Sequence, residues 1–182
     1  MQDMHSRDSV VRQENKVVIR GSWPVPADRT SVYAIASDFA RIPENFPKLA
    51  RTVVILRSDG NHLTIEAETA SSGIFPRCII LMEVELLPER GYRCSTFNRR
   101  FETRGQEELL LHDAAGGTRL EYTYTVTVKY KWLCPLFGWL VRVFALSYWK
   151  KYYLGPLTVL AQKHQRESLS NNLSEKHSSI AE

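Results

Sequence analysis

The feature that most constrains the fold is a stretch of strictly alternating residues in the second half of the chain. From position 119 to 130, every second residue is apolar or aromatic, and the residues between them are Arg, Glu, Thr and Lys. A period of two is typical of a β-strand with one covered and one solvated face. The chain must therefore build a sheet that has its core on one side. The covered side of this strand carries Leu120, Tyr122, Tyr124, Val126, Val128 and Tyr130.

Five further strand candidates precede this one, and short turn sequences separate them. The turns are rich in Gly, Asn, Asp and Pro, as in Ser58-Asp59-Gly60-Asn61, and these residues suit tight turns. Connections this short join antiparallel neighbours, so the sequence predicts an antiparallel meander. Its six strands are predicted at residues 52–57, 62–70, 77–87, 91–98, 101–112 and 118–130.

Pairing Leu111 with Leu120 sets a register for the whole meander. Leu109 then lies opposite Tyr122, and the inward positions can be followed back through the hairpins. This single register places most apolar residues of four strands on one face, and that agreement supports it. Besides those leucines, the predicted covered face of the earlier strands contains Ile80, Met82, Val84, Leu86, Tyr92, Cys94, Thr96, Phe101, Thr103, Gly105 and Glu107.

Helical patterns flank the meander. A strand at residues 16–23 leads to a predicted helix at 27–38, which Asp28 or Thr30 can cap. Pro43 and Pro47 limit the next segment to one helical turn.

The segment 132–165 is apolar around most of a helical circumference, so it predicts a long helix with an apolar partner. Pro156 is expected to kink this helix near Tyr152. Trp132 to Trp149 spans 18 residues with Arg142 inside, and we prefer a core helix under the sheet to a membrane-spanning one.

The two ends of the chain are polar, whereas the middle is not. We predict a flexible arm at residues 1–14, one folded domain at 15–165 and a flexible tail at 166–182. A length of 182 residues with 43% hydrophobic content suits one globular domain. No secretory signal opens the chain and the three cysteines are widely spaced, which favours a cytoplasmic location, with membrane association as an open addition.

The sequence lacks the motifs of several functional classes. The sequence has no phosphate-binding glycine loop, no nucleophile elbow and no histidines or cysteines at metal-ligand spacing, so neither a cofactor nor a metal is expected. The net charge of +4 is small for a nucleic-acid-binding protein, and we expect no nucleic-acid partner. The oligomeric state is left open.

The order of elements resembles a known family. Val25-Pro26-Ala27-Asp28 leads into the first helix, and Ile42-Pro43-Glu44-Asn45-Phe46-Pro47 leads into the next strand. These segments are similar to the opening of the START/Bet v 1-like superfamily, which includes polyketide cyclases and lipid-transport proteins. The resemblance covers residues 16–165. It implies an α+β helix-grip fold, in which a curved antiparallel sheet wraps around a long C-terminal helix, with a cavity for hydrophobic ligands between them.

The cavity is the first candidate site, and a solid core is its alternative. Polar members of the predicted lining could orient one polar group of an otherwise apolar ligand. The predicted ligand-binding residues are Met82, Val84, Cys94, Thr96, Tyr122, Tyr124 and Val126 from the sheet, with Leu140, Val143, Phe144 and Ser147 from the helix.

The catalytic candidates are Glu107, Tyr122 and Tyr124. A carboxylate on the covered face would have a raised pKa and could act as acid or base. Gly105 is typical of a β-bulge, however, and we favour the interpretation in which a bulge turns Glu107 outward.

The sequence therefore predicts a protein that binds or transports a hydrophobic small molecule, such as a lipid, a quinone-like or a polyketide-like compound. The alternative is a cyclase or aromatase that uses the same cavity. A protein-interaction module is a third possibility. Peripheral membrane contact is predicted at residues 132–139, where aromatic residues are flanked by Lys129, Lys131, Lys150 and Lys151.

Overall fold

The computed structural model describes residues 7–13, 16–70, 77–127 and 146–180. Eight strands form one sheet in the order β1-β2-β8-β7-β6-β5-β4-β3, and all neighbouring strands are antiparallel. The predicted helix-grip architecture is confirmed. The strands are β1 Arg7–Gln13, β2 Lys16–Val25, β3 Ala50–Asp59, β4 His62–Thr69, β5 Ile79–Leu87, β6 Gly91–Asn98, β7 Thr103–Ala114 and β8 Gly117–Thr127.

The predicted register is confirmed within the strands, but the prediction that Phe101 lies on the covered face was wrong, because Phe101 precedes β7 in the turn and is 52% exposed. Leu111 pairs with Leu120 and Leu109 with Tyr122, and the pairing runs without a shift from Arg104 to Ala114. Gly105 lies opposite Val126 in this regular ladder, so the bulge predicted at Gly105 does not occur. The prediction that Glu107 turns outward was therefore wrong. The ladder is regular because glycine permits a bulge and does not require one.

The predicted arm at residues 1–14 contains a strand. Arg7–Gln13 pairs along its whole length with β2, from Arg7 opposite Ser22 to Gln13 opposite Lys16. A polar strand of this kind gives no core signal in the sequence because it lies at the edge of the sheet and joins through backbone hydrogen bonds.

Two short helices follow β2. Helix α1, Arg29–Ala36, begins at Asp28, whose side chain accepts a hydrogen bond from the Ser31 backbone N–H at 2.8 Å. Asp28 is thus one of the two caps that the sequence predicted. A 3-10 turn, Phe39–Arg41, leads to α2, Ile42–Asn45.

The C-terminal segment is helical throughout its described part. Helix α3, Leu146–Trp149, continues through a π-helical turn, Lys150–Leu154, into helix α4, Gly155–Ile180. The π turn falls where a kink was predicted, since Pro156 has no N–H to donate to an earlier carbonyl. Helix α4 also covers residues 166–180 of the predicted tail.

One end of the sheet is closed by the helices. We call it the closed end and define it by residues 25–31, Thr118 and residues 162–165. The Thr118 hydroxyl donates to the Ala27 carbonyl at 2.8 Å, and the Asp28 backbone N–H donates to the Gln165 side chain at 3.1 Å. Gln162 also donates to the Pro26 carbonyl at 3.2 Å. These bonds fix α1 and α4 to the strand ends.

Candidate functional site

A partly buried carboxyl lies in the middle of the covered face. Glu107 lies opposite Cys94 on β6 and Tyr124 on β8, and cross-strand partners share a face of the sheet. The Tyr92 hydroxyl donates to Glu107 Oε1 at 2.7 Å. Among the described residues, no Lys, Arg or His forms an ion pair with Glu107. The site therefore contains an acid with one neutral hydrogen-bond donor and no counter-charge.

Burial has the larger effect on the ionisation of Glu107. Removal of water disfavours the carboxylate and raises the pKa of Glu107 above its ordinary range, and the hydrogen bond from Tyr92 only partly offsets this. The protonated form of Glu107 is thus favoured relative to a solvated glutamate. In that form Glu107 can donate a hydrogen bond to a neutral acceptor.

The groups around Glu107 keep their protons. Burial raises the pKa of Tyr124 to about 12. Burial, followed by the charge of Glu107, raises the pKa values of Tyr92 and Tyr122. The same two causes raise the pKa of the Cys94 thiol, so Cys94 is not an activated nucleophile. Near neutral pH, these tyrosines and Cys94 are therefore uncharged, and Glu107 is the acidic group among them.

An aromatic wall faces this site from the C-terminal helix. The Trp149 ring stacks on Tyr122 at 4.4 Å between centroids and lies 4.8 Å from both Trp23 and Tyr153. Phe46 packs on Tyr153 at 4.7 Å. These contacts join the helix to β2, β8 and the loop after α2, and they give the site large apolar surfaces.

Two polar atoms within this wall have no hydrogen-bond partner among the described residues. The Tyr153 hydroxyl and the Trp23 indole N–H are buried and make no hydrogen bond with any described residue. Tyr153 and Trp23 are themselves only 5% and 3% exposed. A buried polar group without a partner costs free energy, so each is an available contact for a ligand or a water.

The absence of a side chain at Gly105 determines how closely Thr96 and Tyr124 pack on the covered face. A Cβ at this position would lie 2.4 Å from Thr96 Oγ1 and 2.6 Å from the Tyr124 hydroxyl. The missing side chain therefore makes room for Thr96 and Tyr124, whose oxygens lie 3.4 Å apart. Gly105 permits close side-chain packing on a regular strand.

Burial on the covered face changes along the strands. Leu111, Leu120 and Leu109 are at most 3% exposed. Met82, Thr96 and the Glu107–Tyr124 pair are only partly buried, although they belong to the same face. The inner face is thus tightly filled near the closed end and more accessible around Glu107.

The structure brings the sheet-derived candidates together. Cys94, Val84 and Val126 are buried on the covered face, beside Met82, Thr96, Tyr122 and Tyr124. The helix-derived candidates are different. Ser147 is exposed and does not join the cluster, because α3 turns Trp149 toward the sheet. The remaining three predicted residues, Leu140, Val143 and Phe144, lie outside the described residues, as does the predicted membrane segment 132–139.

Sequence reasoning missed four site residues: Tyr92, Trp149, Tyr153 and Trp23. Tyr92 could have been found, because the register already placed it two positions from Cys94, diagonal to Glu107 and within reach of a long side chain. Trp149 and Tyr153 follow a four-residue spacing that continues to Leu157 and Ala161, both 0% exposed. That spacing marks the covered side of the helix.

No protein-family model matches this sequence, and no curated protein matches it. Solved structures do match. The di-domain aromatase/cyclase StfQ from the steffimycin pathway is similar to this chain with a TM-score of 0.68 at 15% identity, over 86% of this chain and 53% of that one. This chain thus spans about half of StfQ.

Two other structures match over nearly their whole length. The ZhuI aromatase/cyclase from Streptomyces sp. R1128 gives a TM-score of 0.60 at 14% identity, over 90% of this chain and 96% of that one. A START superfamily protein from Mycobacterium smegmatis gives 0.62 at 14% identity, over 80% and 97%. The chain thus has the START/Bet v 1-like fold. Identities this low show the fold alone, so the ligand must be argued from the site.

The described residues offer no group of three or more His, Cys, Asp or Glu that could hold a metal ion. Within the same part of the chain, no helix is both long and apolar enough to cross a membrane.

Proposed function

We propose that this protein binds a hydrophobic small molecule between the sheet and the C-terminal helix, with one polar and non-anionic group of the ligand at Glu107. The carboxyl of Glu107, which no described Lys, Arg or His pairs with, supports this proposal most directly. A carboxylate or phosphate ligand would repel the ionised form of Glu107, and its own charge would lose water without a basic described residue beside it. A hydroxyl, carbonyl or amine can instead exchange hydrogen bonds with Glu107 and the Tyr153 hydroxyl.

The apolar part of the ligand would lie against the aromatic wall. Trp149, Tyr122 and Tyr153 pack on one another, so the ligand would contact the ring surface that this packing leaves, and burying apolar surface gains roughly 25 cal/mol per Å². The partly accessible positions Met82 and Thr96 mark the side from which the ligand would extend. The neighbouring folds support the proposal, since one of them is described as a STAR-related lipid transfer protein.

The test compares three ligands that share one alkyl chain: tetradecanol, tetradecylamine and tetradecanoic acid. Each competes with bound Nile red, and displacement is followed by fluorescence. We expect the alcohol and the amine to displace the dye at concentrations about tenfold lower than the acid, a difference of about 1.4 kcal/mol. Equal displacement by all three would contradict the proposal.

Two glutamine variants test whether Glu107 causes the preference for the alcohol over the acid. Glu107→Gln removes the internal acid and should reduce the difference between alcohol and acid. Glu108→Gln changes the adjacent residue, which faces outward and pairs with Arg93 at 2.8 Å, and should leave the difference unchanged. Native mass spectrometry of protein purified from its own host would then identify the natural ligand.

A cyclase-type enzyme is the second candidate, and the hydrogen bond from the Tyr92 hydroxyl to an internal carboxyl favours it. Tyr92, Tyr124 and Thr96 surround Glu107, which could move a proton on a bound polyketone while the aromatic wall holds the chain folded. StfQ and ZhuI carry the aromatase/cyclase description. The test is turnover of a poly-β-ketone thioester followed by mass spectrometry. A ring product that Glu107→Gln abolishes, with ligand binding retained, would establish catalysis.

Peripheral membrane contact through residues 132–139 stays a proposal. Flotation with anionic vesicles tests it, and a protein that does not float with them would contradict it.

A further inference from the structure

Four arginines lie together at the end of the sheet opposite the closed end. We call this region the basic end and define it by Arg77, Ile79 and residues 98–104. Arg77, Arg99, Arg100 and Arg104 are all exposed. None of them forms an ion pair with a described residue, although Arg100 donates to the Arg77 carbonyl at 3.5 Å. The acidic side chains here are Glu102 within the turn and Glu68, which lies opposite Ile79 on the neighbouring strand, so the four arginines outnumber them.

Exposed apolar side chains lie among these arginines. Phe101 is 52% exposed at the β6–β7 turn, and Ile79 is 44% exposed at the start of β5. Arg100 lies over the Phe101 ring at 6.0 Å, and Arg104 lies over the Phe97 ring at 5.6 Å. The region thus combines apolar side chains and guanidinium groups in direct contact.

The local backbone holds Phe101 in this exposed position. The Asn98 side chain accepts hydrogen bonds from the backbone N–H of Arg100 at 3.0 Å and of Phe101 at 3.2 Å. The turn is therefore held by its own side chain. Glu102 adopts a positive φ of 49°, which completes the reversal into β7. The structure of this turn therefore holds the Phe101 side chain in an exposed position.

Apolar and charged side chains alternate further along the outer face of the sheet. Leu81 pairs with Phe97, and Phe97 pairs with Arg104, so these side chains form one cross-strand row. Val54, 53% exposed, lies in the same row beyond Glu66. A cross-strand row of this kind is flat, so it can contact a flat partner surface.

We propose that the basic end docks on an anionic membrane surface, with the four arginines at the lipid headgroups and Phe101 and Ile79 at the level where acyl chains begin. The charge is complementary to acidic lipids, each basic residue near such a surface contributing about a factor of five in partitioning. Exposed Ile79 and Phe101 gain from apolar contact, which a nucleic-acid backbone does not offer. This proposal does not depend on the ligand bound at Glu107.

The test is co-sedimentation of the full chain with phosphatidylcholine vesicles, with and without phosphatidylserine. We expect binding only with phosphatidylserine and weaker binding at high salt. The double variant Arg99→Glu with Arg100→Glu should bind at least about 30-fold more weakly. Phe101→Ser should weaken binding several-fold with all charges kept.

The matched control is Lys163→Glu with Arg166→Glu. It makes the same change in net charge on exposed positions of α4, near the closed end, and should bind as the unchanged protein does. Three results would overturn the proposal: equal binding to neutral and anionic vesicles, equal loss in the control, or full binding by Phe101→Ser. The last result would indicate a purely electrostatic anion surface. Dye displacement by tetradecanol, measured on the same variants, separates this outcome from failure of the ligand site.

Discussion

At the closed end, the helices satisfy the backbone groups of the strand ends, and charged side chains are paired. Arg29 lies 2.9 Å from Asp113 and 3.9 Å from Glu89. At the basic end, the arginines form no ion pair with any described residue, and Phe101 is half exposed. One end thus contributes to the stability of the fold, whereas the other retains charge and apolar surface that the fold does not use. Residues of the second kind are candidates for intermolecular contact.

The largest expected effect concerns the helix that covers the sheet. Leu157 is 0% exposed, and Leu157→Ala should lower the free energy of unfolding by about 2–5 kcal/mol, because it leaves a cavity. Urea denaturation followed by circular dichroism measures this. Val159 is 66% exposed on the same helix, and Val159→Ala should change stability by less than about 0.5 kcal/mol. Similar values for both variants would contradict the packing of α4.

The next effect contrasts the two ends of one strand. Thr118 is 1% exposed and donates to the Ala27 carbonyl, so Thr118→Val leaves that buried acceptor unpaired and should cost about 1–3 kcal/mol. Thr127 ends the same strand at the basic end, where it is only partly buried. Thr127→Val should have little effect. Chemical denaturation measures the free energy of unfolding of both variants. Equal losses would contradict the difference between the two ends.

Between the two ends lies Glu107, and its burial predicts a pH dependence. Because the pKa of Glu107 is raised on folding, the folded state binds more protons than the unfolded state between the two pKa values, and stability falls as pH rises through that window. Glu107→Gln removes this penalty. The variant should therefore gain stability relative to the unchanged protein as pH rises from 4 toward neutral. Thermal unfolding at several pH values measures the difference, and a constant difference would indicate a solvated Glu107.

The smallest expected effect is at the basic end. Phe101→Ser removes a half-exposed side chain and should change the free energy of unfolding by less than about 0.5 kcal/mol. Denaturation in the absence of vesicles measures this. A loss comparable to that of Thr118→Val would show that Phe101 supports the fold and would remove the contrast between the ends.

Several features of the site were predictable from sequence, and others were not. The pairing of Leu109 with Tyr122 followed from alternation and turn length alone. The orientation of Glu107 did not, because Gly105 is compatible with both a bulge and a regular ladder. Ser147 was predicted to face the sheet, but a helix apolar around most of its circumference does not indicate which side is covered.

The sequence by itself determined the strands, their register and the covered face, since these depend on a local period of two and on short turns that leave few alternatives. The Asp28 cap was likewise local. Only the tertiary structure decided which residues meet at the site. The hydrogen bond between Tyr92 and Glu107 and the stacking of Trp149 on Tyr122 depend on how the C-terminal helix crosses the sheet. That crossing is set by packing between residues far apart in the chain, and no short sequence pattern records it.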